Sequence, residues 1–200
     1  MNKWVIGLTL LLIGGCASDS GKSISYYHFD IDKAATVSHT TFSKPRLEII
    51  PINLPEHLNA RGIAQRVNQY RTVNANWHLW SSQPGTMLDR AALNQLEQHL
   101  PDWFVIGAEE PWLIENLKAP KKIVKLQFVL ERFNGGLENN AEIVGSWTLF
   151  DAQDQLLMRQ NFSQTVTLEN NGYDALTAAL QSGWEAVCTN VASEISASFK

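Results

Sequence analysis

The sequence predicts an α/β fold in which a mixed, largely antiparallel sheet packs with helices; an α+β arrangement is the alternative. Two observations carry this expectation. Between residues 122 and 168, three runs alternate apolar and polar side chains and are separated by turn residues, the pattern of an antiparallel meander. Two other stretches, Thr86–Leu100 and Tyr173–Phe199, repeat apolar residues every three or four positions, as amphipathic helices do.

The elements follow in chain order. "SISYYHFDID", from Ser23, holds β-formers and is read as the first strand, and "KAATVSHTTFSK" as loop. "PRLEIIPI" is a strand buried on two faces, with Leu47 and Ile49 on one side and Ile50 and Ile52 on the other. Pro51 and Pro55 cannot donate to a ladder, so this strand ends or becomes an edge there. Extended pieces continue through "GIAQRV" and "RTVNANWHLW", a weakly patterned region. In the first helix Leu88, Ala92 and Leu96 form the stripe and Leu93 and Leu100 widen it. Thr86 or Gly85 caps it, Asp89 sits in the first turn, and Pro101 stops it. "WFVIGA" is a short buried strand, and "PWLIENLKAP" an apolar patch between prolines. "KIVKLQFVLERF", "AEIVGSWTLF" and "LLMRQNFSQTVTL" are the meander strands, joined by "NGGLENN" and "DAQDQ". The last helix carries Tyr173, Leu176, Leu180, Trp184, Val187, Val191, Ile195 and Phe199 along one stripe. Its other face is rich in Ala, Ser and Thr and poor in charge, which suits packing on the same domain or on a neighbouring subunit.

Charge and chemistry narrow the function. The chain has 16 basic and 20 acidic side chains, a formal −4, which gives no support to nucleic-acid binding. Its five histidines, His28, His39, His57, His78 and His99, show no i, i+4 pair and no HExxH, so zinc-hydrolase chemistry has no local support. Glu97, His99 and Asp102 straddle a helix end, and adjacent Glu109 and Glu110 point to opposite faces of an extended chain. No Gly-x-Ser-x-Gly elbow and no phosphate-binding glycine loop occur. Neither catalytic residue, metal nor cofactor is called for. Cys188 falls in an apolar helical pattern and is read as a buried thiol.

The N-terminus has the layout of a secretory signal: Lys3, an apolar run of about ten residues to Ile13, then Gly14 and Gly15. The run is too short to span a bilayer, which takes roughly 20 apolar residues. Ile13-Gly14-Gly15-Cys16 resembles the bacterial lipobox, which implies cleavage before Cys16 and acylation of its sulfur and new N-terminus. Ala17, rather than Asp, implies the inner leaflet of the outer membrane. The expected organisation is a signal peptide over 1–15, a lipidated tether over 16–25 and a single domain over 26–200. Two or three acyl chains anchor stably where one does not.

Six tryptophans lie beyond the signal. Trp103, Trp147 and Trp184 fit core positions. Trp77 and Trp80 follow Arg61, Arg66 and Arg71 in the polar stretch, and Trp with Arg is the composition of interface anchors. The candidate partner-binding set is therefore Arg61, Arg66, Trp77 and Trp80.

The order of motifs resembles one family. "SYYHF", "PRLEIIPINLPEHLNARGIAQR", "NANWHLW", "EEPW", "LERFNGG", "AEIVGSWTLFD" and "YDALTAALQSGWEAVCTNVASEI" look like the PqiC/YmbA-type lipoproteins, auxiliary outer-membrane lipoproteins of MCE-type transport systems. The resemblance spans nearly the whole chain after the signal. It implies an anticodon-binding-like α/β domain, similar to the N-terminal domain of TolB. It further implies a non-enzymatic role docking a periplasmic MCE-domain tunnel protein under the outer membrane, and a homo-oligomer. Two other classes stay open at this point: another envelope-assembly lipoprotein, such as a lipopolysaccharide-export component, and a periplasmic hydrolase.

Overall fold

A strand of 13 residues, the longest among the described residues, organises the sheet. The computed structural model describes residues 23–31, 44–107 and 122–199; the signal, Cys16, "EEPW" and the "PWLIENLKAP" patch lie outside them. The central strand β6 (Ile123–Gly135) follows β1 (Ser25–Tyr27), β2 (Arg46–Asn53), β3 (Gly62–Asn68), β4 (Arg71–Trp80), helix α1 (Pro84–His99) and β5 (Phe104–Ile106). After it come β7 (Asn140–Asp151), β8 (Leu156–Thr167) and helix α2 (Tyr173–Ser198). β1 takes Ser25, the last residue assigned to the tether.

One edge of β6 pairs with β7 along its length, and β7 pairs with β8, both antiparallel. The other edge of β6 is shared. Its first half runs parallel to β2, and Gly135 at its end meets Gln65 of β3. β2 carries β5 in parallel, and β3 carries β4 and then β1. The sheet is mixed, and its long ladders are the antiparallel ones, as the alternation predicts.

Pro51 shows how the sequence is accommodated. β5 pairs only with Arg46–Glu48, and the β2–β6 register shifts between Ile50 and Asn53. The proline thus stands past the end of the β5 ladder, at an irregularity of the β6 ladder, where no donor is required. Helix α1 corrects the expected cap. It starts at Pro84, after Gln83, because proline's fixed φ and missing N–H suit the first helical position. Asp89 consequently lies beyond the first turn. Its carboxylate accepts the Ile52 N–H at 3.0 Å, tying the helix to β2 just after the proline.

Both helices pack against the sheet and against each other, α1 over β2 and β5 and α2 over β6, β7 and β8. The core between them holds Leu47, Leu126, Phe128, Ile143, Leu149, Leu88, Leu96, Leu180, Trp184 and Ile195, all buried. Trp184 stands edge-on to Phe128 with centroids 5.0 Å apart and donates Nε1–H to the Leu88 carbonyl at 3.2 Å. The indole of α2 therefore fills the sheet interface and also binds α1. Trp103 and Trp147 are buried as well, as expected. At the far side of the meander, β8 pairs with β7 and, among the described residues, with no other strand.

Candidate functional site: an aromatic–arginine surface at β1, β3 and β4

The four candidate partner-binding residues do not stay together. Trp80 is 2% exposed. It stacks on Phe133 at 5.9 Å and meets Phe29 edge-on at 6.1 Å. This corrects its assignment to an exposed surface. At the C-terminal end of β4 it turns inward over the β6 side chains, where burial of a large indole is favourable. Arg66 is also committed internally. Its Nη1 lies 2.6 Å from each carboxylate oxygen of Glu142 on β7, with both side chains largely buried. Arg132 approaches the same carboxylate at 3.5 Å. Arg66 is a clamp between the β3–β4 hairpin and the meander, and partner contact through its guanidinium would have to break that pair.

Arg61 and Trp77 are exposed, Trp77 at 42%. A bulge places Trp77 outside. Between the pairs Ala64–Asn74 and Gly62–Leu79, β4 advances five residues while β3 advances two. The surplus backbone crosses over Gly62, where an added methyl would fall onto the Ala75 carbonyl oxygen, so only glycine fits beneath it. Bulges re-aim side chains in this way. Beside it, β1 pairs in parallel with the end of β4, setting Tyr26 opposite Leu79. Tyr26 is exposed, and the Arg61 guanidinium sits over its ring at 5.6 Å, a cation–π contact. Ile24, also exposed, extends the patch along β1.

Under this surface lies a polar aromatic stack. His78 stacks on Tyr173 with centroids 4.0 Å apart, and its Nδ1 is 2.8 Å from the Tyr27 hydroxyl. Burial, together with the Asp174 carboxylate, pushes the Tyr27 pKa up. The phenol keeps its proton, and the hydroxyl and His78 Nδ1 share one hydrogen bond whose direction follows the imidazole tautomer. The stack joins β1, β4 and the start of α2, so the exposed patch rests on a fixed base.

The "NGG" turn has a matching steric cause. A methyl on Gly135 would strike the Gln65 side chain, and one on Gly136 the Asn140 side chain. Gln65 uses that room to donate Nε2–H to the Gly136 carbonyl at 2.8 Å. The motifs around Tyr27, Gln65, Trp77, Gly136 and Tyr173 thus converge on one end of the sheet.

Sequence reasoning does not find Tyr26, Ile24 or the hairpin tip, where Tyr70 is 90% exposed between exposed Val67 and Val73. One signal is available. From His57 to Leu88 the chain has no acidic residue but three arginines, an electropositive segment in an acidic protein. β1, only three residues long, is too short to display a period.

The sequence profile of a family described as ABC-type transport auxiliary lipoprotein component matches residues 27–192. No curated protein matches the chain. Among solved structures, an uncharacterized protein is similar with a TM-score of 0.70 and 23% identity, covering 86% of this chain and 99% of that one. Protein XCC0632 from Xanthomonas campestris is similar with a TM-score of 0.63 and 11% identity, covering 84% and 92%. At these identities the likeness is one of fold.

Proposed function

This chain belongs to the family of ABC-type transport auxiliary lipoprotein components, and from that premise we propose that it is a non-enzymatic lipoprotein of the outer membrane's periplasmic face. In this reading it receives the distal end of an MCE-domain tunnel protein in an intermembrane lipid transport system. The family match over residues 27–192 carries the reading. The lipobox-like Ile13-Gly14-Gly15-Cys16 supports the anchor, with Cys16 as the acylated residue. Copies of the chain assemble into a homo-oligomer around the tunnel end.

The docking surface in this proposal is the exposed patch of Arg61, Tyr26 and Trp77, with Arg66 supporting the hairpin from behind. Trp offers apolar area and Arg adds donors, and truncating a central anchor costs about 2 kcal/mol, roughly thirtyfold in affinity. A photocrosslinking side chain at position 77 in living cells tests it. The expected product is a crosslink to an MCE-domain protein that disappears when that protein is deleted. No such product, at normal protein level, moves the docking surface elsewhere.

The anchor has its own test. Cys16→Ala is expected to abolish incorporation of a fatty-acid analogue and to leave the signal uncleaved by the lipoprotein peptidase. Label persisting on the variant refutes acylation at Cys16.

A further inference from the structure

We propose that copies of this chain join edge to edge, the free edge of β8 in one copy receiving the free side of the β3–β4 hairpin of the next. The proposal deepens the homo-oligomer part of the proposed function and rests on it. The first observation is β8 itself. It is 12 residues long, and among the described residues one whole side of it meets no strand. Proteins that stay monomeric blunt such edges with proline, lysine or a covering segment. β8 has no proline and no lysine, and Arg159 is its only charge. Leu156 and Leu157, at its start, are exposed.

The second observation is what flanks that edge. Two cavities of about 380 and 630 Å³ lie along the seam between β8 and α2. Their linings include Glu194 in one and Glu169 and Asp174 in the other, all exposed, and no basic residue. An edge strand beside a helix is the arrangement that takes an added strand, with main-chain hydrogen bonds supplying affinity and the seam supplying selection. The seam here selects for positive charge.

The third observation identifies the occupant. The hairpin lies in the acid-free segment of the chain, with Arg71 exposed beside Tyr70 at its tip. Arg71–Asn74 of β4 pairs with β3 on one side and, among the described residues, with no strand on the other, since β1 reaches only His78–Trp80; the Asn74 side chain donates to the His57 carbonyl at 2.9 Å. Each copy therefore carries one acidic-flanked free edge and one basic free edge. They stand at opposite sides of the strand order, β4 beyond β3 and β8 beyond β7. Joining unlike edges gives a head-to-tail contact, which closes into a ring when the rotation per copy divides a full turn.

Cysteine crosslinking of the acylated, full-length protein in its membrane tests this. Two differently tagged copies are co-expressed, one with Tyr70→Cys and one with Asn170→Cys. The expected product is the mixed Tyr70→Cys to Asn170→Cys dimer, with a ladder of higher species when both substitutions share one chain. Arg71→Glu is expected to weaken assembly at least tenfold in light scattering of the detergent-extracted protein, and Glu169→Lys added to it to restore assembly. A homotypic Asn170→Cys dimer in place of the mixed one overturns the proposal in favour of two-fold β8 pairing. Oligomers without the mixed crosslink overturn this interface while leaving the homo-oligomer standing. A monomer at all concentrations overturns both. The position-77 crosslink reads docking separately, so its loss alone does not count here.

Discussion

Trp80→Ala is expected to destabilise the protein by about 3–5 kcal/mol, the usual cost of truncating a buried large aromatic. For a chain of this length that corresponds to a fall in melting temperature of roughly 10 °C. The indole is 2% exposed, and its removal leaves Phe29 and Phe133 facing a cavity. Trp77→Ala is the contrast, because Trp77 lies on the bulge between Asn74 and Leu79 with its side chain exposed. Its replacement by alanine is expected to change stability by no more than about 0.5 kcal/mol, as at other exposed sites. Thermal unfolding followed by circular dichroism checks the pair. Equal melting of Trp80→Ala and the parent protein would put the indole back on the surface.

Gly145→Ala is expected to cost about 3 kcal/mol, the upper part of the range for overpacking. Gly145 of β7 stands opposite Leu130, next to the register shift in β6. A methyl there falls onto the Val129 carbonyl oxygen and lies 3.0 Å from the Leu130 Cα and 2.9 Å from the Phe162 ring. Two of these neighbours are backbone in the central strand and cannot move without disturbing the ladder. Gly183→Ala is the matched control. Its methyl meets side-chain carbons of Ile143 and Val166, which can shift, and alanine gains about 1 kcal/mol in helix propensity over glycine. A urea midpoint lowered by Gly145→Ala and nearly unmoved by Gly183→Ala is the expected result. The reverse order would refute the steric account.

The meander and α2 are legible in the sequence because their patterns are long. Val124, Leu126, Phe128 and Leu130 alternate over a strand that is buried on that side, and the α2 stripe from Leu176 to Ile195 is buried throughout. Periodicity averages over many residues there, so single exceptions do not hide it. The β3–β4 region is legible only as extended chain. Its irregular register leaves no clean alternation to follow along β4, so only composition groups Trp77 with Trp80, and composition cannot tell that two tryptophans three residues apart occupy two environments. Arg66 escapes the sequence for a different reason. Its partner Glu142 is far away along the chain, and no local pattern announces a clamp between distant strands. The cap of α1 is misleading because Thr86 and Gly85 are good capping residues, yet Pro84 before them can already enter the first turn.

Cys188 has a consequence for how this protein can be observed. It is the free thiol of the described residues, fully buried on α2, and burial, with the Glu185 carboxylate adding to it, pushes its pKa well above the usual thiol range. The thiolate is the reactive species, so the folded chain is silent toward maleimides and oxidants at this position. Reaction becomes possible only when α2 lifts from the sheet. The labelling rate of Cys188 in the native protein therefore counts opening events of that helix, giving a clock for local unfolding that needs no introduced probe.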